Sequence, residues 1–153
     1  MSESQHVARV RSCFEVGDLF AEDHPVITVK TGGRAYGALS RQAVARGIPI
    51  PVIEQLGQAV VQVHEGKTMI FVALWEDESP YDDRLVYACT TAAIRAAHEA
   101  GLESVSLPLV GASEALRLVG SMGRAIIELE ELFERQGWDF PDVRVITDKT
   151  AAL

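Results

Sequence analysis

The sequence predicts a three-layer α/β/α sandwich with a mixed, largely parallel sheet. Short β-branched runs alternate along the chain with longer segments of helical periodicity, which is the order expected where helices cover both faces of a sheet. No repeat, linker or low-complexity tract interrupts the 153 residues, and this length is typical of one domain. We therefore expect residues 1–153 to form a single domain.

The first third of the chain predicts two strands and a short helix. Residues 7–16 are rich in valine and stop at a Gly-Asp pair, which predicts a strand with imperfect alternation. Residues 25–31 are mostly β-branched and predict a buried strand that ends at a glycine pair. Residues 38–46 have the spacing of a short helix closed by Gly47.

The middle third predicts a hairpin followed by a long helix. Residues 59–63 and 69–74 are two apolar runs joined by a short segment that contains glycine, which is typical of a tight β-hairpin. Residues 81–100 place alanine and other apolar side chains at helical spacing, and Gly101 follows where a helix commonly ends. The alanine-rich face indicates close packing of this helix on the sheet.

The last third predicts two strands around a long helix. Residues 104–107 predict a strand, and Asp142–Thr147 predicts the final one. Residues 114–136 predict either one long helix or two pieces interrupted near Gly120 and Gly123. The unit that runs from the second hairpin strand to the first of these strands should be a parallel, right-handed βαβ connection.

The charge balance excludes several classes of partner. The chain has 22 acidic and 14 basic residues, so its formal net charge is −8. A nucleic-acid groove needs a basic face that replaces phosphate counterions, and an anionic membrane attracts basic segments, so neither partner is expected. A small anionic ligand is compatible with this charge, because backbone N–H groups can hold a phosphate. The acid also gathers in residues 76–83 and 128–134.

The cysteines and the N-terminus indicate a cytoplasmic protein. Cys13 and Cys89 lie in apolar stretches, and we expect free thiols, which suit a reducing compartment. Residues 1–6 are polar and lack the apolar core of a secretory signal, and no apolar run approaches the ~20 residues that span a bilayer. The histidines and cysteines show no metal-ligand spacing. No metal or other cofactor is predicted, and no segment identifies an oligomer contact.

Two loops of small residues follow predicted strands and lead into predicted helices. They are TGGRAYG, residues 31–37, and PLVGAS, residues 108–113. In open α/β sheets, ligands bind beyond the carboxyl ends of the strands. Glycine lets a backbone approach a ligand closely, and the N–H groups at a helix start suit a phosphate. Each loop alone is more typical of turn chemistry, but two such loops at neighbouring strand ends could hold a diphosphate from both sides.

Several segments together resemble the macro domain family over most of the chain. EVGDLF, residues 15–20, resembles the Gly-Asp-(Ile/Leu) motif after the family's first strand, and GGRAYGAL, residues 32–39, lies where the family has its glycine-rich loop. Residues 56–61 and 67–72 resemble the paired strands of the subgroup that contains the DNA ADP-ribosyl glycohydrolase antitoxins and the terminal ADP-ribose glycohydrolases. Residues 92–111 are similar to the family's helix, turn, strand and Pro-x-(Ile/Leu)-Gly ending.

The resemblance implies a macro-like fold with a site for ADP-ribose or a related ADP-containing nucleotide. By position, Asp18 would accept a hydrogen bond from the adenine amino group, with Leu19 beside it. An aspartate in a Gly-Asp turn is the simpler interpretation of Asp18. The other ligand-binding residues that the resemblance implies are Gly32, Gly33, Tyr36, Gly37, Gly111, Ala112 and Ser113.

The catalytic positions of the family are not matched. Residues 27–31 contain no asparagine, where hydrolytic macro domains commonly have an asparagine pair. Trp75 and the acidic residues after it stand where the lysine-dependent subgroup has its lysine, and a half-buried structural tryptophan is the simpler interpretation there. Lys30 and Glu114 are the catalytic candidates. A solvated or ion-paired lysine and a helix-start glutamate are the simpler interpretations of these two residues.

Three functions are therefore weighed. The first is binding of ADP-ribose in a cleft between the two glycine-containing loops. The second is hydrolysis that removes ADP-ribose from a modified protein or nucleic acid, with Lys30 or Glu114 assisting. The third is a divergent macro fold that serves as a protein-interaction module without nucleotide binding, which the short Ala112-Ser113 loop and the acidic residues 75–83 suggest.

Overall fold

A computed structural model describes residues 2–77, 80–110 and 116–148 of the chain. In chain order the elements are α1 (Glu3–Arg11), β1 (Phe14–Val16), β2 (Val26–Lys30), α2 (Gly37–Ala45), β3 (Ala59–His64), β4 (Lys67–Trp75), α3 (Asp83–Glu99), β5 (Ser104–Pro108), α4 (Leu116–Gln136) and β6 (Asp142–Thr147). A short 3-10 turn, Leu19–Ala21, lies between β1 and β2.

The strands form two three-stranded groups that meet at one bridge. In the group β1-β6-β5 all pairs are parallel, whereas in β2-β4-β3 the outer strand β3 is antiparallel to β4. The groups join where Pro25 bridges Ser106 in parallel, beside a 3.1 Å hydrogen bond from the Ser106 N–H to the His24 carbonyl. The joined order is β1-β6-β5-β2-β4-β3. The predicted mixed, largely parallel sheet is confirmed, and β4 and β5 run parallel with β2 between them.

Helices cover both faces of the sheet and so make three layers. Helices α1, α3 and α4 enclose one core, in which Ile94, Ile126 and Phe133 are almost completely buried. Helix α2 and the 3-10 turn enclose the other core, around Ile27 and Phe71. Burial of each such side chain contributes about 1.5–3 kcal/mol to folding. The sheet is therefore covered by packed side chains on both faces.

The predicted strand over residues 7–16 is wrong, because most of this segment belongs to α1. The Ser2 side chain accepts a hydrogen bond from the Gln5 N–H, and the Gln5 side chain accepts one from the Ser2 N–H. This reciprocal capping box starts a helix. Val7 and Val10 lie three residues apart, so the helix buries both in the core shared with α4. Only the last three residues of the segment are extended.

Helix α4 is continuous, so the interruption considered at Gly120 and Gly123 does not occur. Both glycines lie where α1 crosses α4. A Cβ atom at Gly120 would lie 3.2 Å from the Glu3 side chain, and one at Gly123 would collide with the His6 backbone carbonyl. The missing side chains allow the two helix backbones to approach each other closely.

The hairpin, α3 and the free thiols are confirmed close to their predicted positions. Glu65 and Gly66 form the turn between β3 and β4 with φ angles of 50° and 81°. The primed turns of two-residue hairpins need this left-handed conformation. Gly101 follows α3 with a φ of 72°, and Cys13 and Cys89 are both free. None of the helices in the described part of the chain has the length and apolar character needed to cross a bilayer.

Candidate functional site

A cleft opens at the carboxyl ends of β5 and β6, between the 3-10 turn and α2. It encloses about 170 Å³. Strands β1, β5 and β6 are parallel, so their carboxyl ends meet at this edge, which is where open α/β sheets bind ligands. The described residues that line the cleft are residues 17–20, Ala38, Leu39, Gln42, Pro108, Leu109 and residues 146–148.

Asp18 lies exposed at the rim of this cleft, as a residue of the loop that follows β1. Its Oδ1 atom accepts a 3.0 Å hydrogen bond from the Phe20 N–H and so caps the 3-10 turn. Within the described residues, no hydrogen bond involves its second carboxylate oxygen. Leu19 is buried beneath it and anchors the turn in the core. Asp18 is thus a turn residue whose remaining acceptor is free for a ligand donor.

Helix α2 begins beside the cleft. Tyr36 is its N-cap residue and makes no side-chain capping bond. Ser40 instead accepts a 2.6 Å hydrogen bond from the Tyr36 N–H and donates one of 2.7 Å to the Tyr36 carbonyl. Ala38 and Leu39, in the first turn, line the cleft. First-turn N–H groups have no partner within a helix and carry a partial positive charge, so this end of the cleft suits an anion.

The predicted glycine loop packs against the chain rather than lining the cleft. Gly32 and Gly33 have φ angles of 80° and 73°, which favour glycine. The Gly32 N–H donates to the Ile53 carbonyl at 2.9 Å, and a Cβ atom at Gly33 would lie 3.1 Å from Val52. Neither glycine is among the described residues that line the cleft. Their assignment to a ligand stays a prediction.

Three aromatic residues close the carboxyl ends of β2 and β4. The Trp75 ring centroid lies 5.0 Å from that of Tyr36 and 5.9 Å from that of Tyr81, both edge to face. Gly37 has a φ of 84°, and a Cβ atom there would lie 3.0 Å from the Trp75 ring. The Lys30 ammonium nitrogen lies 5.2 Å from the Tyr36 ring centroid, a cation–π distance. We call Tyr36, Trp75 and Tyr81 the aromatic cluster.

Three residues predicted for the site belong to the aromatic cluster or contact it. Lys30, Tyr36 and Gly37 do not line the described cleft. Trp75 is half-buried, which agrees with its simpler interpretation as a structural residue. The described lining of the cleft thus includes Asp18 and Leu19 together with Pro108 and Leu109, but not the residues of the aromatic cluster.

Arg34 ties the glycine loop to the end of β4, which the sequence reasoning missed. Its Nε atom donates to the Thr31 carbonyl at 2.8 Å, and its Nη2 atom donates to the Glu76 carbonyl at 3.1 Å. Its own carbonyl accepts a 3.0 Å hydrogen bond from the Lys30 N–H. An arginine inside a glycine-rich loop is the available signal, because a guanidinium can donate to several carbonyls at once.

Gln42 and Asp148 are further cleft residues that sequence reasoning missed, because the two meet only in the folded chain. None of the described residues that line the cleft is basic, so within that set an anion would be held by backbone N–H groups. Among residues 2–77, 80–110 and 116–148, no three His, Cys, Asp or Glu side chains are grouped to hold a metal ion.

The second predicted loop lies outside the described residues. Gly111, Ala112, Ser113 and Glu114 belong to this part of the chain, and their roles stay predictions. Pro108 and Leu109, which precede them, line the cleft.

Comparison with solved structures identifies the fold. The chain is similar to the macrodomain of Thermus aquaticus DarG with a TM-score of 0.63 and 16% identity over 88% of this chain and 97% of that one. For the macrodomain of Mycobacterium tuberculosis DarG the TM-score is 0.60 and the identity 19%, over 90% of this chain and 97% of that one. For a Trypanosoma brucei macrodomain in complex with ADP-ribose the TM-score is 0.64 and the identity 13%, over 92% of this chain and 66% of that one.

No protein-family model matches the chain, and no curated protein matches it in sequence. At the identities above, the likeness to solved structures concerns the fold. The chain has the macrodomain fold, and the resemblance seen in the sequence is confirmed at that level.

Proposed function

We propose that the chain binds ADP-ribose, or a closely related ADP-containing nucleotide, in the cleft at the carboxyl ends of β5 and β6. The observation that carries this proposal is the cleft itself, which joins the Asp18 acceptor and the start of α2 in one space. A macrodomain of the same fold has been solved in complex with ADP-ribose.

The base is proposed to lie at the Asp18 end. Adenine presents an exocyclic amine, which is a hydrogen-bond donor, and an ionised carboxylate only accepts. Asp18 therefore favours an amine over a carbonyl oxygen at this position of the ring. Leu109 and Ile146 line the same cleft and offer apolar surface to the faces of the base.

The diphosphate is proposed to lie toward the start of α2. The described lining lacks a basic side chain, so the N–H groups near Ala38 and Leu39 supply the positive end. A helix start contributes about 0.3–1 kcal/mol to each such charge interaction. In this proposal Gly111, Ala112 and Ser113 complete the phosphate site, because they follow Leu109 and Val110 in the chain.

Binding is favoured over hydrolysis. The chain contains no asparagine, and Lys30 lies against the Tyr36 ring, outside the described lining of the cleft. A catalytic group must come within hydrogen-bond reach of the reacting atoms. The hydrolase alternative rests on Lys30 and Glu114, without described geometry that joins them to the cleft.

The test is calorimetric titration with ADP-ribose, inosine diphosphate ribose and ribose 5-phosphate. Loss of a hydrogen bond to a charged group costs about 1.5–3 kcal/mol, so Asp18→Ala should weaken ADP-ribose binding by about 10- to 100-fold. Ribose 5-phosphate should bind the variant as it binds the wild type. Asp18→Asn retains an oxygen that can cap the turn but removes the negative charge, so it distinguishes the effect of the charge on binding from the effect of the cap. Asp139→Ala, at an exposed aspartate after α4, is the matched control.

Other outcomes decide between the alternatives. If the wild-type protein shows no thermal shift with ADP-ribose at millimolar concentration, both nucleotide functions are refuted and the interaction module is left. If it releases ADP-ribose from modified protein or modified DNA, and Lys30→Ala or Glu114→Ala abolishes that release, the protein is a hydrolase rather than a binding module.

A further inference from the structure

Strand β3 is a sheet edge without the usual protection. Within the described residues β3 pairs only with β4. Natural edge strands are blunted by lysine, proline, inward charges or bulges. Residues of β3 include no proline and no acidic or lysine side chain, and its register with β4 is regular. Val61 is 38% exposed and Val63 is 64% exposed on this strand. An apolar, regular edge is a template for another strand.

The hairpin turn fixes which backbone groups of β3 face away from β4. The turn has two residues, 65–66, so His64 and Lys67 flank it as a hydrogen-bonded pair. Hydrogen-bonded and non-hydrogen-bonded pairs alternate along an antiparallel ladder. Every second residue from His64 therefore forms its backbone hydrogen bonds with β4. The residues between them direct their N–H and C=O groups away from β4. The outward residues are Ala59, Val61 and Val63.

We propose that two copies of this chain associate by pairing their β3 strands antiparallel, about a two-fold axis at Val61. In this register Val61 faces the partner's Val61, and Ala59 faces the partner's Val63. Every outward residue then enters a hydrogen-bonded pair, with about six hydrogen bonds across the axis. A shift by two residues loses part of this set. The strand is thus complementary to itself, as a two-fold interface requires.

The same register aligns the exposed valine side chains. Ala59, Val61 and Val63 alternate along the strand and so share one face of the sheet. Across the axis the two Val61 side chains meet, and each Val63 side chain lies beside Ala59 of the other copy. The exposed valines become one stripe, whose burial is favourable because apolar area leaves water. Each β-branched cross-strand pair contributes about 0.2–1 kcal/mol.

Each chain carries a formal charge of −8, but β3 itself contains no acidic residue that the pairing would bring against another. The acid nearest to β3 on its turn side is Glu65, and the register places it opposite the partner's Gly57 rather than another acid. The cleft lies at β5 and β6, on the other side of β2 and β4. The pairing therefore leaves the cleft open, and it stands independently of the proposed function.

The test is sedimentation velocity of the full chain over a range of concentrations. The wild type should form dimers that dissociate on dilution. Val61→Lys places a charge on the axis and should lower the association constant by at least about tenfold, as edge lysines do. Val61→Pro removes only an outward N–H and should act similarly. Val44→Lys, at a valine of α2 that is 53% exposed, is the matched control and should leave the association constant unchanged.

A cysteine at the axis provides a second readout that does not depend on weakened association. Opposed Cα atoms of a hydrogen-bonded antiparallel pair are about 5.5 Å apart, within disulfide range. Val61→Cys should therefore form a covalent dimer under mild oxidation, and Val44→Cys should not. A wild type that is monomeric at every concentration overturns the proposal. So does a dimer that Val61→Lys does not weaken and Val61→Cys does not cross-link.

Discussion

The two ends of the sheet's carboxyl edge differ in what fills them. At β5 and β6 the edge is an open cleft with Asp18 at its rim. At β2 and β4 it is closed by the aromatic cluster. Both ends follow parallel strands, so topology alone does not distinguish them. Strand ends supply a position for a ligand, and the side chains there decide whether ligand or protein occupies it.

The backbone repeats this contrast. At the closed end the chain uses its own N–H groups, since Thr31 donates to the Trp75 carbonyl at 2.8 Å and Gly32 donates to the Ile53 carbonyl at 2.9 Å. At the open end the first turn of α2 leaves N–H groups without partners inside the helix. At the closed end backbone N–H groups bond to carbonyls of the protein, whereas at the open end the same kind of donor is available to an anion.

The largest expected effect is that of Trp75→Ala at the closed end. The ring packs between Tyr36 and Tyr81, and its removal should lower the free energy of unfolding by about 3 kcal/mol, measured by urea denaturation. Affinity for ADP-ribose should change by less than about threefold, since Trp75 does not line the described cleft. Trp138→Ala, at a 45% exposed tryptophan, is the comparison variant. Loss of ligand binding at unchanged stability would place the aromatic cluster in the ligand site.

The next effect is the difference between alanine substitutions at two glycines, Gly37, which meets the Trp75 ring, and Gly47, which meets nothing. Gly37 and Gly47 have similar φ angles of 84° and 75°, but only at Gly37 does an added Cβ atom meet a neighbour, at 3.0 Å. Gly47→Ala should cost about 1–2 kcal/mol for the left-handed backbone. Gly37→Ala should cost about 1–3 kcal/mol more for overpacking. Equal values in denaturation experiments would show that the ring yields freely and that the closed end is not tightly packed.

The last expected effect appears only at alkaline pH and concerns Cys89, which lies in the core between α3 and β4. Its thiol donates to the Ala73 carbonyl at 3.4 Å, and burial raises its pKa from 9.0 to about 12. Between these values the unfolded chain loses a proton that the folded chain retains, so stability falls as the pH rises. The slope should reach up to about 1.4 kcal/mol per pH unit. Below pH 9 the thiol is protonated in both states, and the free energy of unfolding no longer depends on it.

Unfolding titrations of wild type and Cys89→Ala at several alkaline pH values measure that slope. The variant should show a flatter dependence, and the difference between the two proteins isolates Cys89 from Cys13 and Tyr87, whose pKa values are also raised, mainly by burial and by the Glu128 hydrogen bond respectively. Identical slopes would mean that water reaches the thiol.

The sequence predicts elements whose signals are local and misses those that depend on a distant partner. The hairpin and α3 have a turn glycine and helical spacing, and both are confirmed. Helix α1 was accessible through the Ser2 and Gln5 capping box, but the valine-rich segment after it also alternates like a strand. The role of Gly123 depends on α1 crossing α4, and no local pattern contains that contact.

The candidate site shows the same division. Asp18 belongs to a recognisable turn motif, and it lines the cleft. Tyr36 is predicted to contact a ligand because it stands in the glycine loop; its ring contact with Trp75 was not predicted, and its ligand role stays a prediction. Gln42 and Asp148 enter the cleft only because α2 and the end of β6 converge there. Ring contacts and converging elements arise from tertiary structure, so pattern and spacing do not encode them.

The hydrogen bond that holds the Asp18 carboxylate has a consequence for conformational entropy. When a ligand immobilises a free side chain, the lost side-chain entropy weakens the binding free energy by about 0.5–1.5 kcal/mol. Asp18 is already held by the Phe20 N–H. Phe20 is itself fixed, because its carbonyl accepts a 2.7 Å hydrogen bond from Lys67 and its ring lies 4.1 Å beneath the Arg46 guanidinium. The hairpin strand that begins at Lys67 thus orders an acceptor in the other half of the sheet before any ligand arrives.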